Sequence, residues 1–376
     1  MAAFKRKIFY LSGFDPRGAR FYHQLYTEQA TIYARNSGHA VTVGERERAG
    51  KGNSRWTVSD RTSDTETDFA FLGWDDVIRA HWVKNPVRLL VRSLISYWGF
   101  TRGMDWERTR RFPRGSLIAF YYPGASAILL PLLFGLLLWL AFSLLLDFPW
   151  DLAAATVTAI AVAAVIIRKI ESFWMLRFII FNNSLASGEP DETIEQRLDE
   201  MAATINAALA ESNDELLFVT HSNGSIMAVP IMERLLAMNG GAMPPHFALM
   251  TLGSCIPLIG CRRDSKRFHA QLEAVAKGHF LWLDLGSITD GACIALIDPC
   301  GSCVTDARPA LHILSPRWFK YCDPATYDAR RRNKYEVHFE YLRTFDRISP
   351  LDYIGVTSGG RPLAQSIEAF KAENPV

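Results

Sequence analysis

A serine at position 222 lies in a local sequence typical of a catalytic nucleophile. Residues 215–219 (ELLFV) form a short apolar run, residues 220–224 (THSNG) follow it, and an apolar helical pattern begins at Gly224. A strand, a sharp turn and a helix in direct succession would lift Ser222 above the carboxyl end of a sheet. The backbone N–H of Asn223 would then lie at the helix N-terminus, where it can stabilise an oxyanion.

The turn also has a plainer interpretation, in which Ser222 is an N-capping serine at an ordinary strand-to-helix connection. The bare pattern of a small residue, any residue, serine, any residue and glycine is weak, because it occurs by chance in many chains. The strand before the serine and the helix after it favour the nucleophile.

Three further stretches, together with the turn, resemble the α/β-hydrolase superfamily, in its lipase and esterase branch with histidine before the nucleophile. Residues 10–18 (YLSGFDPRG) resemble the oxyanion loop, in which Gly13 and Phe14 would supply a backbone N–H. Residues 247–254 (FALMTLGS) resemble the strand after the nucleophile. Residues 279–290 (HFLWLDLGSITD) resemble the strand and loop that carry the triad acid.

The resemblance covers most of residues 4–16 and 190–345, and it does not include the apolar block described below. It implies a mostly parallel α/β sheet of the α/β-hydrolase type. His221, beside the serine, is common in this branch and is expected to be structural. The chain departs from the family at Thr220, where glycine is usual.

The resemblance fixes the chain order of a triad as serine, acid, histidine. Three aspartates compete for the acid, and the family pattern of strand, short loop and Asp favours Asp290 over Asp298 and Asp284. A histidine after the acid is either His312 or His338. His312 lies in an apolar strand pattern (ALHIL), where histidine is more often a core residue, so we favour His338.

These residues predict acyl-ester hydrolysis through an acyl-enzyme. His338 would take the proton of Ser222, and Asp290 would fix the tautomer and stabilise the imidazolium. The oxyanion would be held by the N–H groups of Gly13, Phe14 and Asn223. No cofactor or metal is implied, because such a triad needs neither.

A second feature is a long apolar block. Residues 115–146 contain no charge, and their apolar core, residues 125–146, would span about 33 Å as a helix, enough for a bilayer. After an acidic turn at 147–151, residues 152–167 form a second uncharged stretch of about 24 Å, which is marginal for a span. The pattern predicts a transmembrane hairpin; the alternative is a buried core hairpin or the apolar lid of a soluble enzyme.

Flanking charges predict the orientation of this hairpin. The connecting turn carries two aspartates and no Lys or Arg, whereas both outer flanks are basic: Arg102, Arg108, Arg110, Arg111 and Arg114 before, and Arg168, Lys169 and Arg177 after. By the positive-inside rule, both ends and the catalytic domain would face the cytoplasm. The predicted organisation is an N-terminal part of the core (1–114), the hairpin (115–180) and a C-terminal part that carries the triad (181–376).

The remaining 320 or so of the 376 residues alternate between strand and helix patterns, which indicates a parallel sheet. Predicted strands lie at 7–11, 39–43, 69–72, 215–220, 247–252 and 279–284, and predicted helices at 17–36, 86–97, 190–210, 264–276, 362–372 and from 224. The net charge of +2 argues against a nucleic-acid binder. Six cysteines are too few for a disulfide scaffold and fit a reducing compartment.

Other motifs and functions compete with this interpretation. Cys300 and Cys303 form a C-x-x-C, but its loop-like surroundings favour ordinary loop or core cysteines over a redox or zinc site. Asp75 and Asp76 favour a helix entry over a metal site. The chain could also be a non-catalytic membrane scaffold with a degenerate hydrolase domain, or an acyltransferase or thioesterase with the same triad. The expected partners are a lipid or acyl-ester substrate and the bilayer, and the sequence leaves the oligomeric state open.

Overall fold

The computed structural model describes residues 3–50, 52–187 and 191–375. Within them the strands are β1 (Phe4–Leu11), β2 (Val41–Val43), β3 (Glu47–Arg48), β4 (Ser54–Asp60), β5 (Thr65–Leu72), β6 (Glu215–His221), β7 (Phe247–Leu252), β8 (Leu281–Leu285) and β9 (Ala310–Leu314).

The helices of the N-terminal half, up to the loop before β6, are α1 (Ala19–Ser37), α2 (Asp75–Ala80), α3 (Pro86–Gly103), α4 (Trp106–Thr109), α5 (Arg114–Phe142), α6 (Trp150–Lys169), α7 (Ser172–Ser187) and α8 (Glu192–Ala208). Those of the C-terminal half are α9 (Gly224–Met238), α10 (Ile256–Gly260), α11 (Lys266–Ala276), α12 (Trp318–Tyr321), α13 (Pro324–Arg332), α14 (Lys334–Val337), α15 (Tyr353–Ser358) and α16 (Leu363–Glu373). A 3-10 turn occupies Glu340–Leu342.

The strands form one mixed sheet in the order β2-β4-β5-β1-β6-β7-β8-β9, and β3 pairs with β4. The six strands from β5 to β9 in this order are parallel to one another, whereas β4 runs antiparallel to β2, β3 and β5. The chain is therefore an α/β fold with a mostly parallel sheet, as the sequence predicts. Parallel pairing brings the carboxyl ends of β1, β6, β7 and β8 to one edge, where the candidate site residues lie.

Side-chain alternation along the strands builds two cores. In β1, Ile8 and Tyr10 enter one hydrophobic cluster while Phe9 and Leu11 enter the other, because successive side chains of a strand point to opposite faces. The first cluster packs against α1, α15 and α16, and the second against α7, α8, α9 and α11. Helices therefore cover both faces of the sheet.

Most predicted elements are confirmed, with shifted ends. The strand predicted at 279–284 begins at Leu281, and the basic helix predicted at 86–97 continues to Gly103. The long helix before β6 begins at Glu192; Pro190, its predicted start, lies outside the described residues. Asp75 and Asp76 form the first turn of α2, so the helix-entry interpretation is confirmed there. The antiparallel strand β4 has no counterpart among the predictions.

The apolar block forms the two helices α5 and α6, which pack along each other. The face of α6 toward α5 is built of small residues spaced by four, Ala155, Ala159 and Ala163, and Ala159 lies opposite Gly135 of α5. Small side chains let two helix backbones approach closely. At 1.5 Å per residue, α5 is about 43 Å long and α6 about 30 Å.

The outer surface of this helix pair is apolar and uncovered. Six leucines of α5 are between 51% and 65% exposed: Leu129, Leu132, Leu133, Leu136, Leu137 and Leu140. None of the most apolar 18-residue stretch of α5 is buried, and about a quarter of that of α6 is. The protein interior therefore does not contain these helices, and the buried-core alternative is not what the structure describes.

All six cysteines are buried and none forms a disulfide. Cys300 and Cys303 lie in the interior, and the Cys303 Sγ is 3.3 Å from the Cys261 Sγ. The C-x-x-C motif therefore places two thiols in the core of the loop that precedes β9.

Candidate active site

Ser222 occupies a sharp turn between β6 and α9. Its φ is 57°, in the left-handed region that non-glycine residues seldom adopt, and its N–H donates to the Leu252 carbonyl at 2.8 Å. Such a conformation costs about 1–3 kcal/mol and persists only where the surroundings impose it. The turn forms with Thr220 in place, buried at the end of β6.

Two glycines make this turn possible through close backbone approach. A Cβ at Gly13 would lie 2.9 Å from the Ser222 Cβ and 3.2 Å from its Oγ. A Cβ at Gly224 would lie 2.6 Å from the Leu11 carbonyl oxygen and 2.8 Å from that of Ser12. The backbone at the end of β1 and just after it therefore packs directly against the Ser222 turn. A side chain at Gly13 or Gly224 would force the two segments apart.

His338 and Asp290 form a buried pair next to this turn. The His338 Nδ1 lies 2.8 Å from the Asp290 Oδ2, and Ala292 N–H donates to the other carboxylate oxygen at 2.9 Å. Burial opposes ionisation of Asp290, but the charge and hydrogen bond of His338 outweigh it and hold the pKa of Asp290 below its ordinary value. Asp290 is therefore ionised at neutral pH and accepts the Nδ1 proton, which leaves Nε2 as the basic nitrogen.

His221, the residue before Ser222, contacts the backbone of His338. Its Nε2 lies 2.8 Å from the His338 carbonyl oxygen, and the two ring centroids are 4.7 Å apart. Burial, reinforced by the neighbouring charge of His338, lowers the pKa of His221 to about 3. His221 is therefore neutral and donates its proton to the carbonyl, as a structural residue would.

No hydrogen bond joins Ser222 and His338 in the described part of the chain. The His338 Nε2 is buried without a hydrogen-bond partner, and its Nδ1 is engaged by Asp290. The serine hydroxyl lies instead against the Cys255 thiol. Hydrogen bonds between catalytic groups commonly form only when substrate is bound, so a serine–histidine pair need not show this bond in the free protein.

The competing acids and base lie elsewhere. Asp284 accepts a hydrogen bond from Thr251 inside the sheet, and burial raises its pKa to about 7. Asp298 accepts the N–H groups of the Cys300–Gly301 turn and pairs with Arg308 at 3.0 Å. His312, on β9, contacts the Lys371 ammonium at 3.1 Å. Of the three aspartates and two histidines considered, the structure brings together Asp290 and His338.

The predicted oxyanion donors lie at the start of α9 and after β1. Across residues 3–50, 52–187 and 191–375, no acceptor reaches the backbone N–H of Phe14 or of Asn223. The Phe14 ring is held by Trp82 and Phe181, at centroid distances of 5.7 and 5.0 Å. The Gly13–Phe14 backbone is thereby fixed beside Ser222, with donors available for a negatively charged oxygen.

Ser225 and Cys255 contribute in ways that the sequence did not predict. Ser225 Oγ donates to the Ser222 carbonyl at 2.6 Å and accepts the Cys255 N–H at 2.9 Å, so it ties the turn to the loop after β7. Burial raises the pKa of the Cys255 thiol, which is therefore neutral. The position of Cys255 in the sequence could have indicated this contact. Cys255 directly follows the Gly253–Ser254 turn after β7, at the same sheet edge as Ser222.

An apolar cavity of about 40 Å³ adjoins the site. Cys255, which touches Ser222, forms one wall together with Cys293 and Ile294 from the loop after Asp290. The other walls come from the loop after α3, the first turns of α5 and from α7: Met104, Trp106, Phe112, Leu117, Ala119, Phe120, Tyr121, Met175 and Phe178. The cavity therefore lies between the loop that follows Asp290 and the first turns of α5.

Comparisons with protein-family models, curated proteins and solved structures found no match to this chain.

Proposed function

We propose that this chain is a membrane-anchored serine hydrolase of the α/β-hydrolase type that cleaves acyl esters of lipids. The observation that carries the proposal is the strained Ser222 turn beside the buried His338–Asp290 pair. Strained backbone and partnerless buried polar atoms are costly, and they concentrate at functional sites. An N-capping serine would need neither the left-handed backbone nor the charged pair.

The chemistry follows from the positions of the protons. His338 Nε2 removes the Ser222 proton as Oγ attacks the ester carbonyl, and Asp290 stabilises the resulting imidazolium. The N–H groups of Phe14 and Asn223 stabilise the oxyanion. The tetrahedral intermediate collapses, the alcohol leaves with the proton from His338, and water then releases the acid from Ser222.

The apolar cavity supports an acyl substrate. Its walls next to the serine are almost entirely hydrocarbon and sulfur, so they favour an aliphatic chain over a sugar, a peptide or a phosphate. Several of these walls belong to the first turns of α5 and to α7, which connects to α6. An acyl chain would therefore lie between the catalytic serine and the apolar helices.

The exposed leucines of α5 support a bilayer as the surroundings of the helix pair. A leucine surface of this kind is unfavourable in water, and α5, at about 43 Å, is long enough to cross the hydrocarbon layer of a membrane. With basic residues before α5 and after α6, we propose that the sheet domain lies on the cytoplasmic side.

Labelling with a fluorophosphonate probe tests the catalytic proposal. The full chain in detergent is expected to be labelled on one site, and Ser222→Ala is expected to lose that label. Ser59→Ala, a surface serine of β4, is the matched control and is expected to be labelled like the unchanged protein. A folded protein that takes no label would favour the scaffold alternative, and labelled Ser222→Ala would assign the nucleophile elsewhere. Hydrolysis assays with and without a second alcohol would separate hydrolase from acyltransferase.

A further inference from the structure

Helix α3 has an exposed apolar face in addition to its buried one. Its buried side chains, Leu89, Ser93, Ser96, Tyr97 and Phe100, pack against the protein. Six large apolar side chains face away from it and are between 36% and 70% exposed: Val87, Leu90, Val91, Leu94, Ile95 and Trp98. At 100° per residue these six occupy one continuous arc of about 140°. The six side chains thus form one contiguous apolar patch, whereas the exposed apolar residues of an ordinary protein surface are scattered singly.

A basic strip borders this exposed arc. Arg88 and Arg92 fall just outside one side of it on the helical wheel, Arg102 falls just inside the same side, and α3 contains no acidic residue. None of the three arginines forms an ion pair with any residue that the structure describes. An apolar face flanked by unpaired arginines is typical of helices that lie in the headgroup region of anionic membranes.

The position of α3 along α5 agrees with that environment. Tyr97 donates to the Phe120 carbonyl at 2.8 Å, stacks on Tyr121 and packs its ring against Gly124. Before this contact, α5 exposes one large apolar side chain, Ile118. From Ile128, four residues further or about 6 Å along the helix, exposed apolar side chains follow one another as far as Leu140. α3 therefore crosses α5 at the level where α5 leaves the protein.

We propose that α3 is an in-plane membrane helix that inserts its exposed apolar face into the headgroup boundary of an anionic bilayer. The inference rests on the membrane anchoring proposed for α5 and α6. The occupant is a lipid surface because the apolar face continues into that of α5 and because the unpaired arginines match anionic headgroups. A protein partner would have to cover both helices at once.

This placement would also position the cavity. Met104, just after α3, and Trp106, at the start of α4, line the cavity whose wall includes Cys255, the neighbour of Ser222. With α3 on the bilayer surface, the cavity would open at the level of the lipid ester bonds. Substrate would then enter sideways from the membrane without crossing water.

Depth-dependent fluorescence quenching tests the proposal. Ile95→Cys carries an environment-sensitive fluorophore in the full chain, reconstituted in vesicles that contain anionic lipid and quenchers placed near the headgroup or deep in the acyl chains. The native cysteines are buried, and the unchanged protein serves as the labelling blank. Since an in-plane helix sits about 5–10 Å into the boundary, shallow quenchers are expected to act about twofold more strongly than deep ones at position 95.

Two further positions separate the possible failures. Leu133→Cys in α5 is expected to be quenched best by the deep probe, and Glu273→Cys, on the exposed surface of α11, by neither. An unquenched position 95 beside a quenched position 133 would overturn the in-plane helix and leave the anchoring intact. If both remained unquenched, the anchoring would fail as well, whatever the fluorophosphonate result for Ser222.

The arginines are tested by lipid composition. In Arg88→Gln/Arg92→Gln, the shallow quenching at position 95 is expected to lose its dependence on anionic lipid, since the cations that would contact the anionic headgroups are removed. Quenching that is equal in zwitterionic and anionic vesicles for the unchanged helix would overturn the assignment of the basic strip.

Discussion

The surroundings of Ser222 and the outer surface of α5 depart from ordinary burial in opposite directions. Beside the serine, Thr220 Oγ1, both amide atoms of Asn223 and the His338 Nε2 are buried without a hydrogen-bond partner in the described chain. Along α5, leucines are exposed without cover. An unpaired buried polar group costs about 1–3 kcal/mol, and exposed apolar area forgoes about 25 cal/mol per Å².

Under the proposed function, each region would be completed from outside the chain. A charged transition state would supply partners to the polar site, and lipid hydrocarbon would cover the apolar surface. Changes in the two regions are therefore expected to affect different properties: catalysis in one and membrane packing in the other.

The largest expected effect separates two buried aspartates of the polar region. Asp290→Asn is expected to lower kcat for a model ester by about 10⁴-fold, since the His338 tautomer and imidazolium lose their partner. Asp284→Asn is expected to leave kcat within about threefold, because its carboxyl bonds Thr251 and not the histidine. Steady-state kinetics on both purified variants decide the matter, and the reverse pattern would assign the acid to Asp284.

Asp284→Asn is also expected to change how the stability of the protein depends on pH. This effect shows whether the variant is folded. Burial raises the pKa of Asp284 to about 7, so the folded protein holds a proton that the unfolded chain releases above about pH 4. The folded state is therefore penalised increasingly from pH 4 to pH 7, and by about 4 kcal/mol above that range. The variant is expected to raise the unfolding temperature more at pH 8 than at pH 5.

A cavity mutation links the two regions. Ala119→Phe places a ring of α5 in the apolar cavity, and it is expected to lower kcat/KM for long-chain esters by about 10–100-fold while short-chain esters change little. Ala125→Phe, an exposed alanine of the same helix, is the matched control and is expected to preserve the chain-length profile. An equal loss for both chain lengths would place the acyl chain outside this cavity.

In the apolar region, the inner and outer faces of α6 are expected to differ. Ala159→Leu inserts a branched side chain opposite Gly135 and is expected to destabilise the helix pair by about 1–3 kcal/mol. Ala161→Leu, on the exposed face, is expected to be neutral. Thermal unfolding in detergent measures both, and equal values would mean that the two helices do not pack as described.

The smallest effect concerns backbone strain at the nucleophile. Ser222→Gly and Ser222→Ala are both expected to be inactive, but the glycine variant should be more stable by about 1 kcal/mol, because only glycine adopts a φ of 57° without penalty. Unfolding of the two variants in the same detergent provides the measurement. If the alanine variant were the more stable of the two, the backbone at position 222 would not be strained.

The turn around Ser222 could be predicted because its signal is local: an apolar run, a small-residue turn and a helical pattern lie within 24 consecutive residues. Strand β4 (SRWTVSD) has the alternation of apolar and polar residues that is typical of a half-buried strand, with Trp56 and Val58 buried, and the sequence predictions overlooked it. The apolar helices were evident from composition, and the structure lengthened the second to 20 residues.

Contacts between residues far apart in the chain could not be predicted from local sequence patterns. Asp290 and His338 were favoured from chain order and resemblance, and only the fold shows that they touch. The closeness of Cys255 to Ser222 depends on the lateral order of β6 and β7, and that of Gly13 depends on β1 lying on the other side of β6. Such neighbours follow from strand order, which no local pattern encodes.

The central place of β1 has a consequence for biosynthesis. β1 lies between β5 and β6, so one of its edges is paired by residues that end at Leu72 and the other waits for Glu215–His221. At translation rates of about 5–20 residues per second, that edge stays open for roughly 10 s or longer while α5 and α6 leave the ribosome. The nascent N-terminal half is therefore expected to need a chaperone or the membrane insertion machinery to shield its unpaired strand until the second half arrives.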